Sequence, residues 1–356
     1  MTTSRRTFLQ MATAASAASF APGWAGIAHA ADLPLVRMAG AAPTVRPDHA
    51  WQFLGIPMGY YEKLGFRGDY VPTTGSAAAL QLLLAGEVEV ANCGFLELIA
   101  TKTRQPDLPM HMYYSQERQS SYEVIVPSDS TITSLKDLAG KSIGVPSLAS
   151  GAVPFARGLL RSAGMNPEGV NFLPIGIGAQ ALAALDSGEV QAISIFVGSI
   201  AAMELLGREF RSFKAPVAGG GMVMLDKFVR ENRDLAAAIY RGLILNQMIM
   251  GPYPEATARA YWAAYGAPSG NRDEALRSAV HFIRRTAAVF QKPDDPQPWG
   301  VYTDQEWATF REFFGGPGGF IPENAKLSDF YSPELAKDGN NVDLNLIKEA
   351  VAPFAE

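Results

Sequence analysis

The sequence predicts an α/β protein made of two units with the same layout. Three observations carry this. Apolar runs of strand length alternate with helical periods between Leu35 and Phe196. The stretch ALQLLLAGEVEVANCG (79–94) returns as ALAALDSGEVQAIS (181–194) at a constant offset of 102 residues. The chain, at 356 residues, is also longer than one hydrophobic core usually supports.

The elements follow in order. LVRMA (35–39) reads as a strand and 40–47 as the loop after it. Residues 51–64 carry apolar side chains at helical spacing and predict an amphipathic helix, stopped at Gly65. Tyr70-Val71 is a short strand. Gly75-Ser76 opens a helix through Leu84 that ends near Gly86, and 88–91 is the next strand. Such a rhythm belongs to a parallel sheet. After Pro106, strands at 110–114 and 122–126 are joined by the polar run 115–121. The rhythm then restarts. LKDLAGKSIGV (135–145) gives a short helix before the strand 142–145, and a loop at 147–151 precedes a helix at 153–163. Strand 170–173, helix 178–185 and strand 191–196 complete the second unit. Beyond Gly219-Gly220-Gly221 the periods are helical, at 235–250, 256–265, 274–290, 304–313 and 344–354, with a proline-rich loop at 293–299.

Residues 1–30 predict a removable export signal of the twin-arginine type. Arg5-Arg6 precede Phe8-Leu9, an alanine-rich apolar stretch follows, and Ala28-His29-Ala30 gives a small-x-small cleavage pattern. The expected mature chain, 31–356, carries a net charge of −7, which is the −5 of the whole chain without Arg5 and Arg6. That balance disfavours nucleic acid and anionic membrane surfaces as partners. No later window is long and apolar enough to span a bilayer. The single Cys93 forms no internal disulfide, so in an oxidising compartment the fold rests on its core.

Four stretches carry a family resemblance: MGYYEKLGF (58–66), GSAAALQLLLAGEVEVA (75–91), LKDLAGKSIGVPSLAS (135–150) and the second GEVQA (188–192). In this order they resemble the periplasmic solute-binding proteins of ABC importers, in the nitrate, sulfonate, taurine and thiamine-precursor group. The resemblance covers about 35–226, and the C-terminal helices fit it only in type. Where the family often places an aspartate entering the strand, Glu89 and Gln191 stand here. The resemblance implies a type II periplasmic binding protein fold, α/β, with two lobes, a ligand cleft between them and a helical C-terminal region. Lobe one would hold 31–122, lobe two 123–218, and 219–356 would return to lobe one. The crossing strands would lie near 121–126 and 218–224. It also implies a monomer that meets an inner-membrane permease and its ATPase, with no catalytic residue, cofactor or metal. The alternatives are a sensor that meets a membrane signalling partner, and a thiamine-pyrimidine-synthase-like enzyme. The latter uses a cysteine cluster and a cytosolic setting, against which stand the lone Cys93 and the export signal.

Candidate ligand contacts sit where strands give way to helices, because helix N-termini present unpaired N–H groups and a partial positive charge. Gly75 and Ser76 open the helix of unit one. Gly178 opens its counterpart in unit two, and Ser147, Ser150 and Gly151 open another there. Arg46 and His49 lie in the loop after the first strand, at the carboxyl end where α/β sheets bind ligands. Phe95 and Phe196 follow or end cleft-directed strands and are candidate pocket walls. The family resemblance leaves nitrate, alkyl or aryl sulfonates, aromatic carboxylates and pyrimidine-type vitamin precursors open as ligands, and the expectation taken from it is a small anionic organic solute, sulfonate- or carboxylate-like. AGKS (139–142) fails as a phosphate loop because Leu135 stands in place of its first glycine. GIGAQA (176–181) fails as a dinucleotide motif because its helix is short and Phe196 replaces the ribose-binding acid. The scattered histidines 49, 111 and 281 give no metal spacing.

Overall fold

The computed structural model describes residues 33–148, 150–316 and 319–355; the expected export signal lies outside them. Ten strands form two five-stranded sheets. The first contains β1 (Leu35–Gly40), β2 (Arg67–Pro72), β3 (Val90–Cys93), β4 (Met110–Ser115) and β10 (Gly221–Leu225), in the order β2-β1-β3-β10-β4. The second contains β5 (Tyr122–Pro127), β6 (Ser142–Val145), β7 (Asn171–Pro174), β8 (Ala192–Phe196) and β9 (Phe210–Phe213), in the order β7-β6-β8-β5-β9. The two orders are the same order. In each sheet the first three strands of the unit run parallel, the first in the middle. An antiparallel strand follows, and an outer strand pairs with it. Each sheet's antiparallel strand enters directly from the other sheet: β5 follows β4 across residues 116–121, and β10 follows β9 across 214–220.

The echo at 102 residues is a helix-strand-helix unit. Helix α1 (Tyr60–Lys63) precedes it. Helix α2 (Ser76–Ala85), β3 and α3 (Phe95–Arg104) recur, after α4 (Ala152–Ser162), as α5 (Ala179–Asp186), β8 and α6 (Val197–Leu205). Helices α3 and α6 were not anticipated from sequence. Each begins directly at the end of its strand, with Gly94 and Phe196 at the N-cap and no side-chain cap to mark the start.

The single helix expected over 51–64 is absent. A 3₁₀ helix, Pro47–Gln52, gives way to turns and then to α1. The cause is a buried amide in a later helix. Asn246 donates from Nδ2 to the Trp51 carbonyl (2.8 Å) and to the Tyr61 hydroxyl (2.8 Å), and its Oδ1 accepts from the Gly55 N–H (3.2 Å) and the Tyr60 hydroxyl. The backbone groups that a continuous helix would pair with each other are thus taken by Asn246. Pro57 also lacks the N–H that a helix interior needs.

The C-terminal half is helical: α7 (Asp226–Glu231), α8 (Arg233–Met250), α9 (Pro254–Tyr265), α10 (Arg272–Ala287), α11 (Asp304–Phe314), α12 (Ala336–Gly339) and α13 (Asn345–Val351). Helix α8 buries 13 of its 18 residues, so it is a core helix rather than a surface one. Helix α11 starts on a capping box between Thr303 and Glu306 and packs against α4 of the second lobe. One hydrophobic cluster runs through this contact, joining Met112 of the first sheet, Val124 and Ile143 of the second, Phe155 of α4, and Phe310 and Phe313 of α11. No helix among the described residues is long and apolar enough to cross a membrane.

Candidate functional site

The two crossings run side by side, and a small cavity opens beside them. Its first wall is the start of α3, Gly94 to Glu97, on lobe one. The opposite wall is Gly151 and Phe155 at the start of α4, on lobe two. The floor is made by the crossings, with Ser120, Ser121 and Tyr122 from one and Val217 to Gly220 from the other. Phe310 and Phe314 of α11 close the end.

The triple glycine has a steric reason. A Cβ on Gly219 would overlap the Glu117 carboxylate, and one on Gly220 would stand 2.5 Å from the Cys93 carbonyl oxygen. Only glycine lets this crossing lie so close to its neighbours. Glu117 ties the two crossings together. Its Oε2 accepts from the Gly220 N–H (3.2 Å) and its Oε1 from Gln116 Nε2 (3.2 Å). Burial pushes the Glu117 carboxyl up to about 7, because no cation repays the desolvation of its charge. Glu97 is the third residue of α3. Its carboxylate folds back over Gly94, and burial raises its pKa also. Burial raises the Tyr122 hydroxyl as well, so it stays a neutral donor.

On another side α10 meets acidic side chains of the second lobe. His281 lies 2.7 Å and Arg285 3.1 Å from Glu204 of α6. Arg285 also reaches Glu123 of β5 (3.3 Å), which Lys214 of the second crossing approaches at 3.2 Å.

The residues singled out from sequence are distributed as follows. Phe95 and Gly151 line the cavity from opposite lobes. A Cβ on Gly151 would press on the Tyr122 ring at 3.1 Å. Ser76 stands one step behind, its Oγ accepting from the Gly94 N–H (3.2 Å), so it fixes the start of α3 to the start of α2. Gly75 takes φ 147°, a backbone that suits glycine, and so turns the chain into α2. Ser150 Oγ accepts from the Ala152 N–H (3.2 Å) at the start of α4. Ser147 is exposed in the loop before it, and Gly178 opens α5 at φ 63°; neither lines this cavity. Arg46 binds Asp48 through two bonds (3.0 and 2.6 Å), lies over the Phe282 ring at 5.3 Å and abuts Gly198 of α6. His49 is largely buried, its pKa is lowered by desolvation, and its Nδ1 has no partner among the described residues. Phe196 ends β8 in register with Tyr122.

Sequence reasoning missed Glu97, Tyr122, Phe155, Phe310 and Phe314. The connecting segments, 116–121 and 214–220, lie a few residues before the 121–126 and 218–224 expected from sequence, which fall largely on β5 and β10 themselves. Glu97 would have stood out as the third residue of a helix had the start of α3 been legible. Among the described residues no cluster of metal-ligating side chains forms.

Two sheets of one topology, exchanging strands through paired crossings beside a cleft, define the class: a two-lobed binding-protein fold. The NMT1/THI5-like family profile matches residues 46–243, more than half of the chain, and the chain belongs to that family. Solved structures agree on the fold. The periplasmic aliphatic sulphonate binding protein SsuA from Escherichia coli is 15% identical with a TM-score of 0.60, over 78% of this chain and 85% of that one. The alkanesulfonate-binding protein SsuA from Xanthomonas axonopodis pv. citri, bound to MOPS, is 16% identical with a TM-score of 0.58, over 84% and 98%. The periplasmic nitrate-binding protein NrtA from Synechocystis PCC 6803 is 11% identical with a TM-score of 0.60, over 90% and 91%. No curated protein sequence matches the chain.

Proposed function

We propose that this protein is the solute-capturing component of an ABC importer, exported to the periplasm by its twin-arginine signal. In this reading the lobes close on a small molecule by rotation about the two crossings. The protein performs no chemistry and delivers the closed complex to a membrane permease and its ATPase. One observation carries the reading. The cavity takes one wall from each lobe and its floor from the only two segments that connect the two sheets among the described residues. A molecule placed there touches both lobes and the hinge at once, so its binding energy depends on how the lobes are set. The sulfonate- and nitrate-binding structures support the role through their shared fold.

The test is a thermal-shift screen of a mixed panel: nitrate, aliphatic and aromatic sulfonates, carboxylates and amines. A compound held at a hundred times its Kd stabilises the protein by about 2.7 kcal/mol. A compound that binds is expected to be recovered unchanged after long incubation. Its conversion to a product would overturn the binding-protein reading, and a panel with no binder would overturn capture of solutes of these kinds.

A further inference from the structure

We infer that the cleft is built for a small aromatic cation or amine, anchored on the Glu97 carboxylate, and not for an anion. This rests on the proposed capture of a solute between the lobes and names the class of solute.

Two helix N-termini meet in the cavity, and these are what would hold an anion. A side chain of the protein stands at each. On α4 the Ala152 N–H donates to Ser150 Oγ. On α3 the Glu97 carboxylate lies across the first turn, where a bound anion would sit, and fills the space beside Gly94. The positive end of α3 therefore faces a negative charge that belongs to the protein.

The lining offers nothing to offset that charge. It contains no lysine, arginine or histidine. The cations nearest in sequence to the crossings are engaged elsewhere. Arg118 bonds Gln291 (2.8 and 3.2 Å), the Val301 carbonyl (2.5 Å) and Glu306 (3.1 Å), while Lys214 pairs with Glu123. The Glu97 side chain forms no ion pair and accepts no hydrogen bond from another described side chain; the Thr101 hydroxyl donates to its backbone carbonyl instead (2.8 Å). A second carboxyl, Glu117, lies beneath Gly219 and Gly220. An anion entering here would meet a carboxylate in a site of low dielectric, with no cation to receive it. An ammonium or amine group supplies the partner that Glu97 lacks.

The remaining walls fit the rest of such a molecule. Phe95, Tyr122, Phe155, Phe310 and Phe314 are among the residues that line the space. Aromatic walls beside a carboxylate favour a cationic group through charge and quadrupole together. The helix starts that the sequence offered to an anion are those of α2, α4 and α5; of these only α4 borders the cavity, and there Ser150 Oγ already accepts from the Ala152 N–H.

The experiment is titration calorimetry of the mature protein with benzylamine and with benzenesulfonate, which share a ring and carry opposite charge. Benzylamine is expected to bind and benzenesulfonate not to bind at pH 8. Glu97→Gln, which keeps shape and removes charge, is expected to weaken benzylamine roughly tenfold or more, the loss typical of a hydrogen bond to a charged group. Burial raises the Glu97 pKa, so the wild-type affinity should fall as pH is lowered from 8 to 5 while the variant's stays flat. Benzenesulfonate binding more tightly than benzylamine would overturn the proposal. So would unchanged benzylamine affinity in Glu97→Gln, or a lack of benzylamine binding to the wild type. Capture between the lobes is judged separately: a sulfonate that binds and closes the lobes overturns the ligand class and leaves that reading standing.

Discussion

Replacing Glu117 by glutamine should change how stability depends on pH, in a direction set by where the carboxyl lies. Glu117 is buried between the crossings with two hydrogen bonds and no cation, and its pKa rises from 4.5 to about 7. The folded protein thus holds this proton more tightly than the unfolded chain does. Its contribution to stability is full below pH 4.5 and is lost as pH rises through about 7. At about 1.4 kcal/mol per pH step between the two values, the loss is on the order of 3 kcal/mol. Glutamine keeps an acceptor for the Gly220 N–H and does not titrate. Its amide loses the acceptor used by Gln116 Nε2, a cost that does not depend on pH. The quantity to measure is the Tm difference between variant and wild type at pH 5 and again at pH 8, by calorimetry. It should move in the variant's favour by roughly 5 °C across that interval. A difference that is the same at both values would refute the claim that an uncompensated carboxyl sits in the hinge.

Three further outcomes are expected. Ser150→Ala removes the acceptor for the Ala152 N–H and should lower the stability of the empty protein by about 1 kcal/mol, measured by denaturant titration; unchanged stability would show that this cap contributes nothing. Glu204→Gln removes the carboxylate shared by His281 and Arg285, so α10 should exchange amide hydrogens faster near those residues; unaltered exchange there would show that α10 is not held by this bridge. Arg5→Lys with Arg6→Lys should leave uncut precursor in the cytoplasm on fractionation, and normal appearance in the periplasm would remove the export proposal.

The two-unit architecture was legible because apolar periodicity and the 102-residue echo report backbone layout directly. The long C-terminal helices were legible for the same reason. Residues 51–64 misled because their apolar spacing is helical, while the groups that break the helix, chiefly Asn246 of α8, lie nearly two hundred positions away. Helices α3 and α6 were hidden because their starts merge with the preceding strands and carry no capping side chain. That omission concealed Glu97, whose meaning depends on being in the first turn of α3. The glycine run was visible as a boundary. Its cause was not, because the carboxylate that forbids a side chain at Gly219 comes from the other crossing.

The central claim is that the two lobes close on a solute held at the crossings. Small-angle scattering on the mature protein, empty and then saturated with each compound that calorimetry shows to bind, tests it most directly. The account predicts a smaller radius of gyration on binding, as the walls at Glu97 and Gly151 are drawn onto the solute. A radius that does not change at saturation would contradict it.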